Sequence, residues 1–175
     1  MSEPANEVGS RACAIAAALA AAGAGERAAA RRMGSEGSAL FWRMVARHKI
    51  SRRDEESWRR ITQLLALLTP SSATETRHQA GHRFGAVLAD GGAENARLEQ
   101  PALSEQRLAR LLAARGPARL DAIERAVRAL ARQQPRIDAP SLAWAVLRED
   151  GRDIARDYYN RLDRRTEQNP EDADA

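Results

Sequence analysis

The stretch that decides the fold is SEQRLARLLAARGPARLDAIERAVRALAR, Ser104 to Arg132. It divides at Arg115-Gly116-Pro117 into two helices. Leu108, Leu111 and Leu112 fall on one face of the first at the i, i+3, i+4 spacing of a buried stripe. Ser104 stands where a helix cap is expected, with Arg107 three residues on in place of the Glu that completes a capping box. Gly116 suits the left-handed residue that closes a helix, and Pro117 suits the first turn of the next. In the second helix Leu120, Ile123, Val127 and Leu130 point inward, while Arg125, Arg128 and Arg132 stack on the far side at about 100° per residue. Arg107 and Arg110 do the same on the first helix. An apolar seam backed by guanidinium groups asks for a partner.

Working towards the amino end, the same helical spacing recurs. Residues 1–10 read as disordered, 11–22 as an alanine helix with little to bury, and Glu26–Met33 as a short segment exposing Arg27, Arg31 and Arg32. Ser38 caps a helix in which Phe41, Met44, Val45 and His48 share a face. Ser51, with Asp54 three residues on, opens another that runs to Leu68 and turns Trp58, Ile61, Leu64 and Leu65 inward. Residues 76–89 are predicted to be helical, bringing His78 and His82 onto one face, before Asp90-Gly91-Gly92 interrupts. Towards the carboxyl end, Asp138 caps a helix carrying Leu142, Ala143, Val146 and Leu147, and Asp150-Gly151 turns into a last helix with Ile154, Tyr158, Tyr159 and Leu162. Residues 163–175 form a charged tail with too little apolar content to fold.

No segment alternates as a strand does. The expected fold is all-α, a bundle of about eight helices in two packed halves, 11–92 and 104–162, joined through 93–103. A domain of 175 residues buries enough surface to need no disulfide or metal staple, and Cys13 has no second cysteine to pair with. The alanine run is too short and too weakly apolar to span a bilayer, and Glu3 and Glu7 precede it where a signal peptide needs positive charge, which points to the cytoplasm.

Net charge is +4, but the charge is unevenly placed: residues 11–162 hold 26 basic against 17 acidic groups. Of 28 basic residues only Lys49 is lysine. Much of that bias reflects Ala- and Arg-rich usage, but the stacking on helix faces does not. Guanidinium forks grip phosphate oxygens two at a time, so the excess admits a polyanion.

Catalytic and metal patterns are missing. His78 and His82 have zinc-ligand spacing, yet Gln79 stands where the HExxH motif needs its glutamate, and no third ligand is near in sequence. Cys13 has no adjacent base, and the glycines form no phosphate loop. Trp42, Trp58 and Trp144 lie on or beside apolar faces and read as packing residues; of Tyr158 and Tyr159, one packs and the other reaches solvent or a partner.

The order RFGAVLA (83–89), RLARLLAARG (107–116), RALAR (128–132), PRID (135–138), LAWAVL (142–147) and IARDYY (154–159), with LFWRMV (40–45) and Arg31-Arg32 upstream, resembles the CasB family, the small subunit of the type I-E CRISPR Cascade surveillance complex. The likeness spans about residues 25–162. It implies a helical, non-catalytic protein without cofactor or metal. Such a protein sits as two copies head to tail against the repeated RNA-binding backbone subunits and the large subunit, holding the backbone of the guide RNA (crRNA), target DNA and displaced strand. Carried over by position, that role falls to Arg31, Arg32, Arg53, Arg83, Arg107, Arg125 and Arg152; Arg110 and Arg128 join by the face argument alone. Glu149-Asp150 and the acidic tail depart from the family pattern. Two other readings stay open: a helix-turn-helix regulator, for which Ala118-Arg119-Leu120-Asp121 is a poor base-reading start, and a helical adaptor whose arginines are merely solvated.

Overall fold

A computed structural model describes residues 5–95 and 98–167 of the chain. The described residues form nine helices joined by turns and extended segments: α1 (Ala5–Ala21), α2 (Ala24–Arg32), α3 (Ala39–His48), α4 (Glu55–Leu68), α5 (Phe84–Asp90), α6 (Glu105–Ala113), α7 (Gly116–Ala131), α8 (Ala139–Leu147) and α9 (Arg152–Glu167). The all-α expectation holds. The two halves share one core: α1 packs on α8, α4 lies against α1, α2, α7 and α8, and α5 crosses α9. One hydrophobic cluster runs from Val8 to Tyr158.

The α5–α9 crossing depends on Gly85. A Cβ there would come within 2.3 Å of the Ile154 carbonyl oxygen, so no larger residue fits without parting the helices. Tyr158 locks the same region: it is fully buried, its hydroxyl donates to the Leu103 carbonyl at 2.6 Å, and burial pushes its pKa up to about 12. Tyr159, 41% exposed, is the outward ring of the pair, and of the tryptophans Trp58 is core while Trp42 is exposed.

Several expectations are corrected. Helix α1 starts at Ala5, inside the segment expected to be disordered, and its payload is real: Val8, Ala12, Ile15 and Leu19 are fully buried. Each of the larger two contributes about 1.5–3 kcal/mol on burial. Ser51 does not cap α4 directly. It lies one turn earlier, donating its hydroxyl to Asp54 at 2.5 Å, and Asp54 takes the cap position. Ser104 and Asp138 occupy cap positions without a capping side-chain bond, whereas Ser38 accepts from the Phe41 N–H. Leu120 is only half-buried, and Arg119 beside it goes inside. Helix α9 continues to Glu167, past the expected start of the tail, because Asp163–Glu167 needs no apolar face to extend an existing helical ladder. The rest of the tail, from 168, lies outside the described residues.

The largest correction concerns residues 76–83. They are extended, with Gly81 at φ +85°, and run parallel to the α7–α8 connector through a His78–Ile137 bridge. Gln79 N–H donates to the Ile137 carbonyl, Ile137 N–H to Arg77, and Asp138 N–H to His82. The two histidines therefore share no helix face. His78 Nδ1 accepts the Ala139 N–H at the start of α8, while His82 Nε2 meets both Asp90 carboxylate oxygens at 3.1 Å. No group of three or more candidate metal ligands occurs among the described residues. No helix among them is long and apolar enough to cross a membrane.

Candidate nucleic-acid interface

Helices α6 and α7 fold back on each other through Ala114-Arg115, with Gly116 at φ +52° and Pro117 in the opening turn of α7. Leu108 and Leu111 on α6 and Ile123, Val127 and Leu130 on α7 go to the core. Between the outward sides lies a groove of about 460 Å³ lined by Ala114, Ala118, Ala122, Ala126 and Ala129, with Leu103 and Leu111. Alanine is the reason a trough exists: a longer side chain at any of these α7 positions would fill it. Arg107, Arg110 and Arg125 complete the lining. All three are exposed, and among the described residues none has an ion pair or side-chain hydrogen bond. The described residues of the lining include no carboxylate. A strip of guanidinium groups over an apolar floor is suited to phosphate oxygens.

The other six arginines expected at the interface lie elsewhere. Arg128, one turn along α7 from Arg125, is held by Glu124 at 2.7 Å, and Glu124 also takes Arg60 of α4 at 2.6 Å. Arg83 pairs with Asp157 at 2.8 Å, Arg152 stands 3.8 Å from Asp150, and Arg53 lies 3.4 Å from Asp54. Arg31 is half-buried and donates to the Ala66 and Thr69 carbonyls, closing the end of α4. Arg32 is exposed and has no ion-pair or hydrogen-bond partner among the described residues. Of the nine arginines expected to hold backbone, three thus line one groove, and the remainder are distributed over α2, the turn before α4, α5, α7 and α9.

Arg27, expected to be exposed, is buried and donates to five carbonyls: Leu19, Ala20 and Ala22 at the end of α1, and Ser71 and Ala73. Helix α2 thus supplies two guanidinium caps to two other helices, satisfying carbonyls that a helix end otherwise leaves bare.

The second charged concavity, about 280 Å³, lies between α5, α8 and α9. Here Arg83, Arg148, Asp138, Asp150, Asp153 and Asp157 face one another, and the Arg148 guanidinium rests 3.8 Å from the Trp144 ring centre. Burial pushes the Asp138 and Asp157 carboxyls up, against the pull of His78 and Arg83. Behind it, Asp90 receives His82, the Gly92 N–H and Arg161. Burial alone would raise its pKa, but those hydrogen bonds hold it below the ordinary value.

Two features of the groove were missed from the sequence. The alanines at 118, 122, 126 and 129 are its floor, and their i, i+4, i+8, i+11 spacing was available as a signal. Glu124 as a double acceptor was not, since its second partner, Arg60, is distant in the chain.

Compared with known proteins, the chain matches the family model described as CRISPR-associated protein Cse2 over residues 26–159. No curated protein and no solved structure matches it.

Proposed function

The chain belongs to the Cse2 (CasB) family, the small subunit of the type I-E Cascade, and on that premise we propose that its α6–α7 groove holds sugar-phosphate backbone through Arg107, Arg110 and Arg125. The observation that carries this reading is the lining: three exposed guanidinium groups with no counter-ion among the described residues, over an alanine floor. Ion pairing with phosphates releases counter-ions and gives affinity without sequence preference. In an RNA-guided complex sequence is read by base pairing, and exchanging the DNA duplex for a guide hybrid is close to neutral in free energy. A few backbone contacts are then enough to decide whether the opened state persists. The role is non-catalytic, carried out in the cytoplasm without cofactor or metal. Its protein neighbours are the repeated backbone subunits, the large subunit and a second copy placed head to tail.

Arg32, exposed and unpaired among the described residues at the end of α2, is a candidate for a further contact. Arg53, Arg83, Arg128 and Arg152 join only where a phosphate displaces their carboxylate, and Arg31 belongs to the fold. The alternative readings fare worse: a helix-turn-helix regulator needs α7 to present its first turn to bases, and in that turn Arg119 is buried. Replacing Arg107 and Arg125 by Gln in the assembled complex tests the proposal. R-loop lifetime at moderate salt is expected to shorten with assembly intact; an unchanged lifetime speaks for an adaptor without nucleic-acid contact.

A further inference from the structure

We propose that the amino end of α7 is a phosphate-binding site built around Arg119, closed in this structure by the protein's own Glu149. Arg119 is 2% exposed, and none of its three guanidinium nitrogens has a hydrogen-bond partner. A buried guanidinium with none of its N–H groups hydrogen-bonded is strongly unfavourable and asks for an occupant. The obvious internal candidates are engaged. Glu149 Oε1 accepts the Gly116 N–H at 3.3 Å, at the start of the 16-residue α7, and Asp150 Oδ1 accepts the Arg152 N–H at 2.9 Å, at the start of α9. Neither carboxylate reaches the guanidinium, although both lie near enough to act on it electrostatically, as does Arg115.

Gly151 lies against Arg119: its missing Cβ would lie 3.7 Å from Nη1 and 2.6 Å from Leu112 Cδ2. Beside Gly116 there is open space. As placed, the Glu149 carboxylate meets the helix start and leaves the fork unmet. A phosphate group has oxygens for both, and the helix start together with an arginine fork is the combination that favours one. Lifting the Arg148–Gly151 connector, which carries the Glu149-Asp150 departure from the family pattern, admits it. The site uses none of Arg107, Arg110 and Arg125, so it stands or falls apart from the groove.

The test follows thermal unfolding of the full-length protein with inorganic phosphate against chloride at matched ionic strength, and with a single-stranded oligonucleotide lacking terminal phosphates. Phosphate is expected to raise the midpoint saturably. Arg119→Met is expected to raise the midpoint in chloride and abolish the phosphate response. Glu149→Gln, which removes the competitor, is expected to tighten phosphate by up to about fivefold. A response to the oligonucleotide that disappears in R119M assigns the site to nucleic-acid backbone; a response to inorganic phosphate alone assigns it to a free anion. A phosphate response that survives in R119M overturns the proposal. So does the absence of any response in both wild type and E149Q, a comparison that holds even if R119M fails to fold.

Discussion

The α6–α7 groove and the α5/α8/α9 cleft are both concave and both contain arginines, and they differ in what answers those arginines. In the cleft each guanidinium has a carboxylate or a ring: Arg83 has Asp157, while Arg148 has Trp144 with Asp153 at 3.9 Å. In the groove Arg107, Arg110 and Arg125 have neither among the described residues. The charge of the cleft serves the fold, and that of the groove is what we propose meets phosphate. An arginine's availability is set by the helices packed around it and not by the face it occupies on its own helix.

That contrast can be attacked from the side of the fold. Asp90 is wholly buried between His82 and Arg161, so Asp90→Ala removes the carboxylate that two buried donors share and is expected to cost about 3–5 kcal/mol in denaturant unfolding at neutral pH. The pH dependence has a definite sign. Because the folded-state pKa of Asp90 is depressed, its contribution is complete above the ordinary Asp value and is lost as pH falls through the folded one. Asp138 and Asp157, raised by burial, act in the opposite sense: their part of the stability falls as pH climbs from the ordinary Asp value through their raised ones. In D90A the acid-side decline should flatten. A variant as stable as wild type would mean that this charge network does not hold α5 to α9.

Glu124→Gln probes the boundary between the two regimes, since Glu124 restrains Arg128 beside the groove and Arg60 on α4. We expect a loss of about 1–3 kcal/mol in thermal or denaturant unfolding. Nucleic-acid binding should gain, with the slope of log K against log salt steepening by about one as Arg128 is released. Asp157→Asn is the mildest case. Arg83 is half exposed, so the pair contributes less than about 1 kcal/mol, and freeing it should add at most one phosphate contact in the same salt titration. If neither change alters the slope, carboxylate pairing is not what separates the two regions.

The fold was legible where apolar spacing is regular. Leu108, Leu111, Ile123, Val127 and Leu130 went where a period of 3.6 puts them, and the Gly116-Pro117 turn formed as its chemistry dictates. Residues 76–83 misled because the same spacing of His78 and His82 also fits an extended segment held by Ile137, a partner more than 50 residues away. Arg27 and Arg31 were misread for a related reason: bare carbonyls at the ends of α1 and α4 recruit them, and sequence does not reveal which helix ends approach α2. In the candidate site, Arg107, Arg110 and Arg125 were legible because two helices in a tight hairpin must face each other. The fate of Arg83, Arg128 and Arg152 depended on carboxylates brought up by folding.

The most direct test of the groove is a salt titration of nucleic-acid affinity for the wild-type protein and for a variant with Arg107, Arg110 and Arg125 all changed to Gln. Three exposed, unpaired side chains leave folding stability nearly unchanged when replaced. The slope of log K against log salt should nevertheless shrink by about two to three. An identical slope in the two proteins would contradict the account, because the phosphates would then be held by some other part of the surface.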